Sequence, residues 1–290
     1  MTSNDSKTHR LRDGRLLGYA EYGDPDGVAW FFFHGSGDSR LLLEPMADAA
    51  MRTGVRLISP DRPGIGLSDS QPNRSFISWP SDVIELADAL SIDRFVVAGG
   101  GGGAVHALAC GHQIPSRLRA TVISSCPPPK LEEMLPGRGD RVGVWMLRHA
   151  SWLAPTVFKR RSAEVRSAPD KEWAHRMAVN DGEDLDFYRQ PGRQQFWQGM
   201  QLEAYRQGAR GVAQEMVLLA RPWGFDLKNV TGKVFLWQGE HNPVLGRSAR
   251  AIAATLPDCE AVFIPTGGWL WVLSHPDELF SSVNSALGEG

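Results

Sequence analysis

Two short loops contain the residues whose types and spacing are best suited to chemistry. One follows an apolar run at 31–33 and contains Ser36 and Asp38, and the other is the run of five glycines at 99–103. Backbone N–H groups in such loops can hold the negative charge of an oxyanion, and a carboxylate beside them can act as a general base. The two loops are therefore the first candidates for a functional site.

Motifs in a characteristic order extend over nearly the whole chain. They are Phe31–Ser36, Asp61–Asp69, Phe95–Cys110, Trp237–Glu240 and Pro265–Pro276. In this order they resemble the alpha/beta hydrolase superfamily, and more narrowly its small bacterial members with a helical cap. The resemblance implies an α/β fold with a mostly parallel central sheet flanked by helices and an inserted helical cap.

The resemblance also locates the three positions at which these hydrolases carry serine, an acid and histidine. The serine of the G-x-S-x-G elbow aligns with Gly101. The acid position falls on Asn242 and the histidine position on Trp269, whereas His241 and His275 are out of register. Glycine has no hydroxyl and an indole cannot relay a proton at neutral pH, so the resemblance implies that hydrolysis is lost.

The remaining chemistry would come from backbone groups and one carboxylate. The N–H groups of Ser36 and Gly102 match the oxyanion donors of the family and depend on loop geometry alone. Asp38 could be a general base, or it could cap the helix that follows, and the capping role is the favoured one because Asp and Ser are common N-caps. His34 and His106 are expected to be structural, in the loop and in the core respectively.

Tryptophans near the strand ends and in the presumed cap predict an apolar, aromatic-lined ligand pocket. In open α/β sheets such a pocket lies at the carboxyl ends of the strands. An apolar small molecule is the expected ligand or substrate. The residues expected to line the pocket are Gly35, Trp145, Trp197, Trp237, Trp269 and Trp271.

Alternating strand and helix patterns must position these residues. Residues 127–229 instead contain aromatic-rich helical patterns without a strand pattern, so we interpret them as a helical cap inserted in a core formed by 1–126 and 230–290. Strands are expected at 16–22, 28–33, 55–59, 94–98, 119–125, 234–237 and 261–264. Helices are expected at 41–52, 81–90, 104–111, 246–256 and 276–287.

Composition excludes several classes of partner. The net charge is −2 with both signs mixed along the chain, which predicts no nucleic-acid or anionic-membrane binding. Three cysteines lack metal-ligand spacing and fit a reducing compartment. A polar N-terminus and the absence of a long apolar run predict a cytoplasmic protein. The glycine run lacks a well-placed acidic partner for dinucleotide binding, so no cofactor is expected, and oligomeric state stays open.

Three functional hypotheses follow from the altered positions. The favoured one is a non-hydrolytic enzyme that promotes cyclisation, elimination or rearrangement of an apolar small molecule such as a natural-product intermediate. The alternative is a catalytically inactive protein that binds a small molecule or a partner protein. A hydrolase inactivated in the laboratory is the least favoured, because an experimenter would not normally change serine to glycine and histidine to tryptophan together.

Overall fold

A single sheet of eight strands forms the centre of the computed structural model, which describes residues 6–134 and 137–288. The strands are β1 (Ser6–Arg10), β2 (Leu16–Gly23), β3 (Val28–Phe33), β4 (Val55–Pro60), β5 (Phe95–Gly100), β6 (Leu118–Ser124), β7 (Val234–Gly239) and β8 (Cys259–Ile264). Their order across the sheet is β1-β2-β4-β3-β5-β6-β7-β8. Only the β1–β2 and β2–β4 pairs are antiparallel, which confirms the mostly parallel sheet.

Helices surround this sheet and also fill the long connection between β6 and β7. The helices of the core are α1 (Ala47–Arg52), α2 (Trp79–Ala89), α3 (Gly102–Gln113), α10 (Pro243–Thr255), α11 (Trp271–Ser274) and α12 (Pro276–Ala286). Those between β6 and β7 are α4 (Arg138–His149), α5 (Ala154–Ser167), α6 (Pro169–Val179), α7 (Gly182–Arg189), α8 (Arg193–Ala204) and α9 (Arg210–Ala220). We refer to residues 127–229 as the inserted segment.

The alternation of side chains along β3 explains how both faces of the sheet become buried. Successive side chains of a strand point to opposite faces. Trp30 and Phe32 pack in a cluster with α1 and α12, whereas Phe31 and Phe33 pack in the cluster with α2 and α3. All four side chains are almost fully buried, so a continuous apolar run here is required by the two-sided packing.

The register between β3 and β5 brings the two loops of interest together. Phe33 pairs with Gly99 in the parallel ladder, so both strands reach the same edge of the sheet at the same level. The loop that begins at His34 therefore lies beside the turn that contains Gly101. This juxtaposition positions the site described below.

Two local features differ from the sequence-based prediction. The strand β1 was not predicted, because its sequence Ser-Lys-Thr-His-Arg is polar and it lies at the sheet edge. The helix expected at 41–52 is a 3₁₀ helix over Arg40–Met46 followed by the short α1. Pro45 lies inside the 3₁₀ part, and proline has no N–H for an α-helical bond. Within the described ranges, no helix has the length and apolarity needed to span a bilayer.

Candidate functional site

A cavity of about 630 Å³ lies at the carboxyl ends of the central strands. One wall is built from residues at or just after the ends of β3, β5 and β6, among them Gly35, Gly101 and Ser124. The opposite wall comes from the inserted segment and includes Phe158 and Trp197. The cavity has the size and the largely apolar lining of a small-molecule site.

The turn between β5 and α3 requires glycine at several positions for different reasons. Gly101 has φ 56° and ψ −125°, a backbone conformation that costs other residues strain. An added Cβ at Gly99 or Gly103 would lie 2.3 Å or 2.0 Å from a backbone oxygen. By contrast, an added Cβ at Gly101 would meet its nearest atom at 4.0 Å, the Cα of Gly35. A residue other than glycine at position 101 would thus have a strained backbone, although there is room for its side chain.

This geometry predicts the outcome of Gly101→Ser. We expect the variant to lose about 1–3 kcal/mol of stability from backbone strain alone. No p-nitrophenyl butyrate hydrolysis should appear, because no histidine would accept the proton of the serine. Urea unfolding and an esterase assay measure the two effects. The control is Gly199→Ser on α8, where an added Cβ would have no contact within 4 Å, and it should change stability very little. Measurable ester turnover by Gly101→Ser would contradict the prediction.

The loop after β3 is held by hydrogen bonds from Arg62. The guanidinium of Arg62 donates to the carbonyl oxygens of His34 and Gly35, the latter at 3.1 Å. The Nδ1–H of His34 donates to the Gly35 carbonyl at 2.9 Å. Burial lowers the pKa of His34 well below its usual value, so the ring is neutral. His34 therefore has the predicted structural role, and the hydrogen bonds from Arg62 and His34 fix the position of the loop.

Arg62 belongs to a fully buried charge network that reaches into the inserted segment. Glu215 on α9 pairs with Arg62 at 2.8 Å and with Arg74 at 2.8 Å. The two arginines lower the pKa of Glu215 although burial opposes this. His106 is also buried, donates from Nδ1 to the Gly102 carbonyl at 3.0 Å, and has a pKa lowered to about 3 by burial. Sequence analysis missed Glu215 because nothing local marks a carboxylate that becomes buried only through tertiary packing.

Asp38 lines the cavity, and its predicted capping role is wrong. The following 3₁₀ helix begins after Ser39 and receives no side-chain capping bond. The Asp38 carboxylate lies close to Gly35, since an added Cβ on that glycine would be 2.5 Å from Oδ2. Burial raises the pKa of Asp38 to about 6, although the charges of Arg176 and Arg62 lower it. At neutral pH the group is an ionised carboxylate with the proton affinity that suits a general base.

Two arginines of the inserted segment line the same cavity. Arg161 and Arg176 both bind Glu172, and the guanidinium of Arg176 lies 4.4 Å from the ring centre of Trp197. Trp197 is buried and lines the cavity as predicted. These cations make part of this wall polar. Neither arginine was identified from the sequence, because their spacing in an arginine-rich segment is typical of a solvated surface.

The indole of Trp269 also lines the cavity, and its loop is bound to α7. The Asp184 carboxylate accepts hydrogen bonds from the backbone N–H groups of Trp269 and Leu270 at 3.0 and 2.9 Å. Glu183 accepts one from Gly268 at 3.1 Å, and the indole N–H of Trp269 donates to Asn180 at 3.3 Å. The inserted segment therefore determines where this loop lies.

Removal of the Asp184 carboxylate should loosen this loop. We expect Asp184→Ala to lower stability by about 2–4 kcal/mol, because two buried N–H groups lose a charged acceptor. Urea unfolding followed by circular dichroism gives the free-energy change. Asp186→Ala, an exposed carboxylate on the same helix, is the matched control and should change stability by less than about 0.5 kcal/mol. Equal effects of the two substitutions would contradict the assigned role.

Asn242 lies outside the cavity wall. Its side-chain oxygen caps α10 by accepting bonds from the N–H groups of Val244 and Leu245 at 3.0 and 3.3 Å, and the residue is exposed. The neighbouring His241 is also exposed and bonds to Asp181 at 2.7 Å. Both side chains therefore have structural partners on the surface.

Three of the predicted pocket tryptophans are not among the described residues that line the cavity. Trp145 is 60% exposed, because it is on the outer face of α4. Trp237 and Trp271 are buried and stack on each other with ring centres 5.1 Å apart, and His275 stacks on Trp271. The prediction was wrong for Trp237 and Trp271 because strand-end position alone does not say which way an indole points. It was wrong for Trp145 because a place in a helix does not by itself say which face the side chain occupies. Gly35, Trp197 and Trp269 do line the cavity.

No group of three or more His, Cys, Asp or Glu side chains that could hold a metal ion occurs in residues 6–134 and 137–288. The cysteines Cys110 and Cys126 are buried and unbonded, and burial raises the pKa of both thiols. Their surroundings are those of small apolar core residues.

Comparison with known proteins finds a family match over most of the chain and solved structures of similar fold. The model of the alpha/beta hydrolase family matches residues 30–282. No curated protein matches the chain with significant similarity. Among solved structures, a hydrolase from Pseudomonas aeruginosa shares 18% identity over 99% of this chain and 100% of its own, with a TM-score of 0.70. An esterase from Thermogutta terrifontis shares 20% identity over 98% of each chain with a TM-score of 0.68.

An enol-lactonase from Burkholderia xenovorans shares 15% identity over 98% of this chain and 100% of its own, with a TM-score of 0.68. At such identities the structural likeness shows the fold alone.

Proposed function

We propose that this chain, which belongs to the alpha/beta hydrolase family, is a non-hydrolytic enzyme that rearranges, cyclises or eliminates from an apolar small molecule. The observation that carries the proposal is the Asp38 carboxylate on the wall of the cavity, close to Gly35. The turn at Gly101 lines the same cavity. In this proposal the reactive group is a carboxylate on the loop after β3 and not a side chain on the turn at Gly101. Asparagine and tryptophan at positions 242 and 269 support the loss of hydrolysis.

The proposed step is proton transfer next to a carbonyl group. Asp38 takes a proton from the carbon beside the carbonyl, and the C–H electron pair moves to give an enolate whose charge is on oxygen. The backbone N–H groups of Ser36 and Gly102 are the proposed donors to that oxygen. Return of the proton to another atom gives an isomer, expulsion of a leaving group gives an unsaturated product, and attack on an internal electrophile closes a ring.

A comparison of metabolites tests the proposal and can identify the substrate at the same time. Extract from a strain that lacks this gene is incubated with the purified protein and analysed by mass spectrometry. Consumption of a compound with formation of an isomer, or of a product that has lost a small molecule, supports the proposal. Addition of water to the compound would overturn it, because that product indicates hydrolysis. The Asp38→Asn variant serves as the matched control.

The second candidate is a binding protein without catalysis. It is favoured by the structural hydrogen bonds of Asn242 and Trp269, which assign both side chains to capping and loop packing. Under this alternative, a compound co-purifies with the protein and is recovered chemically unchanged after incubation.

A further inference from the structure

Large apolar side chains are exposed close together in the first part of the inserted segment. Val142 and Trp145 lie on α4, Trp152 in the 3₁₀ turn that follows, and Val157 on α5. The two indoles are 60% and 76% exposed. We refer to the exposed side chains of residues 138–160 as the outer patch. The other large apolar residues that are exposed in the described ranges lie on four separate elements and are Met51, Ile77, Val179 and Leu202.

The helix α4 presents its exposed apolar side chains on one face. Val142, Trp145 and His149 are spaced three and four residues apart, which places them on the same side of a helix. Val144 and Leu147 are on the other side and are buried in the protein core. The ring of His149 lies 5.3 Å from that of Trp145. The outer face of α4 is therefore open to contact with another surface.

Positive charge surrounds these apolar side chains. Residues 138–160 contain five arginines and lysines but one acidic residue, Asp140, although the whole chain has a net charge of −2. The neighbouring Glu132 and Glu164 are already paired with arginines of this segment. Arg221, which is exposed, is bound to the turn between α4 and α5 and adds a further cation. The outer patch is thus both apolar and cationic.

The outer patch is continuous with the cavity. Val157 is 50% exposed and also lines the cavity, and the adjacent Phe158 lines it too. The cavity wall therefore reaches the surface at this point. A surface that contacts the outer patch would also be beside the cavity.

We propose that the outer patch docks on the surface of a lipid bilayer that contains anionic lipids. Exposed tryptophans are stabilised at such a surface, because the ring is apolar and the indole N–H stays hydrated. Arginine and lysine side chains are attracted to the anionic headgroups. Composition predicted no binding of this kind because it averages both signs of charge over the chain, whereas the fold gathers basic residues around exposed indoles.

A second copy of this chain is less suited to the same surface. In a two-fold symmetric dimer the outer patch would face itself, and its cations would then lie opposite cations. An anionic bilayer instead supplies opposite charge together with an apolar interior. It also dissolves apolar small molecules, which are the class of ligand expected in the adjoining cavity.

Co-sedimentation of the full-length protein with vesicles tests the proposal. We expect binding to vesicles of equimolar phosphatidylcholine and phosphatidylglycerol, with a shift of tryptophan emission to shorter wavelength. Binding to vesicles of phosphatidylcholine alone should be at least about tenfold weaker, because the attraction of several cations is lost. Added salt should weaken binding to the anionic vesicles, since it screens the charges.

Two double variants separate the apolar and the charged contributions. Trp145→Ala/Trp152→Ala and Arg138→Gln/Arg141→Gln should each weaken binding to the anionic vesicles about tenfold or more. All four side chains are exposed, so the fold should be retained, and circular dichroism checks this.

The matched controls change exposed residues of the same kinds elsewhere on the chain. Met51→Ala/Val179→Ala and Arg12→Gln/Arg247→Gln should bind the anionic vesicles as the wild-type protein does.

Three results would overturn the proposal. They are no sedimentation of the wild-type protein with anionic vesicles, equal binding to both kinds of vesicle, and full binding by either outer-patch variant. Concentration-dependent dimerisation that requires Trp145 and Trp152, without vesicle binding, would assign the patch to a protein contact instead.

The proposal does not depend on the proposed function, because vesicle binding is measured without a substrate. Asp38→Asn should bind anionic vesicles as tightly as the wild-type protein, since Asp38 lines the cavity and is not part of the outer patch. Loss of catalysis in that variant with full vesicle binding would support both proposals. Vesicle binding by a protein that converts no substrate would support docking alone.

Discussion

Asp38→Asn is expected to slow proton–deuterium exchange beside the carbonyl group of a bound ketone such as 4-phenyl-2-butanone by about 10²–10⁴-fold, the usual contribution of a general base. The amide is nearly the same size as the carboxylate but cannot accept the proton. In the wild-type protein, exchange should decrease as pH falls through about 6, where the buried Asp38 carboxylate becomes protonated. Exchange is measured by NMR over a range of pH values.

The same substitution should stabilise the protein at neutral pH. Asp38 has a folded-state pKa of about 6 and an ordinary value of 3.8, so the unfolded chain releases the proton at lower pH. The contribution of Asp38 to stability is therefore most favourable below about pH 4 and becomes less favourable as pH rises towards 6. Asp38→Asn removes this penalty, which amounts to at most about 3 kcal/mol at pH 7.

The gain in stability distinguishes a functional carboxylate from a structural one. Replacement of a carboxylate with a structural role would instead lower the stability of the protein. Asp181→Asn is the control, since Asp181 is an exposed carboxylate that contacts His241 outside the cavity. It should leave exchange unchanged. Full exchange activity in Asp38→Asn would remove Asp38 from the mechanism.

Glu215→Gln is expected to cost about 3–5 kcal/mol, the largest loss of stability that we predict for one substitution. The change leaves Arg62 and Arg74 buried without their counter-charge. Both side chains are at most 3% exposed, so water cannot compensate. Urea unfolding followed by tryptophan fluorescence measures the loss.

The control for Glu215 is an ion pair of the same residue types at the surface. Glu240 pairs with Arg250 at 2.6 Å, but both side chains are partly exposed. Glu240→Gln should therefore change stability by no more than about 1 kcal/mol. A loss below that value for Glu215→Gln would contradict the network described here. Because Arg62 also supports the His34–Gly35 loop, the variant should bind 4-phenyl-2-butanone less tightly as well.

Most of the fold could be predicted because its signals are local. One signal is the apolar run that ends at Phe33, and another is the strand-glycine-helix pattern around Gly101. Each pattern indicates a buried strand that leads to a turn at one edge of the sheet. The polar strand β1 gave no such signal, since an edge strand need not bury its side chains. The 3₁₀ helix was missed because one proline changes the hydrogen-bond pattern without changing the apolar periodicity.

The candidate site was only partly predictable because its other half comes from the inserted segment. Gly35 and Gly101 were found from motifs in contiguous sequence. Asp184 and Glu215 are far along the chain from the loops that they hold, so their roles depend on tertiary packing that no local pattern encodes. The same reason explains the error at Asp38, where sequence could identify a possible cap but not the direction of the carboxylate.

The backbone conformation at position 101 makes a change from glycine back to serine difficult in evolution. Under the proposed loss of hydrolysis, a mutation that restored serine would reintroduce backbone strain at once. It would bring no catalytic advantage, because Trp269 is engaged with Asn180 and Asn242 caps a helix. Recovery of ester cleavage would thus require several changes in the same lineage, each unfavourable or neutral alone. Natural selection would then retain the glycine and act on the rest of the cavity.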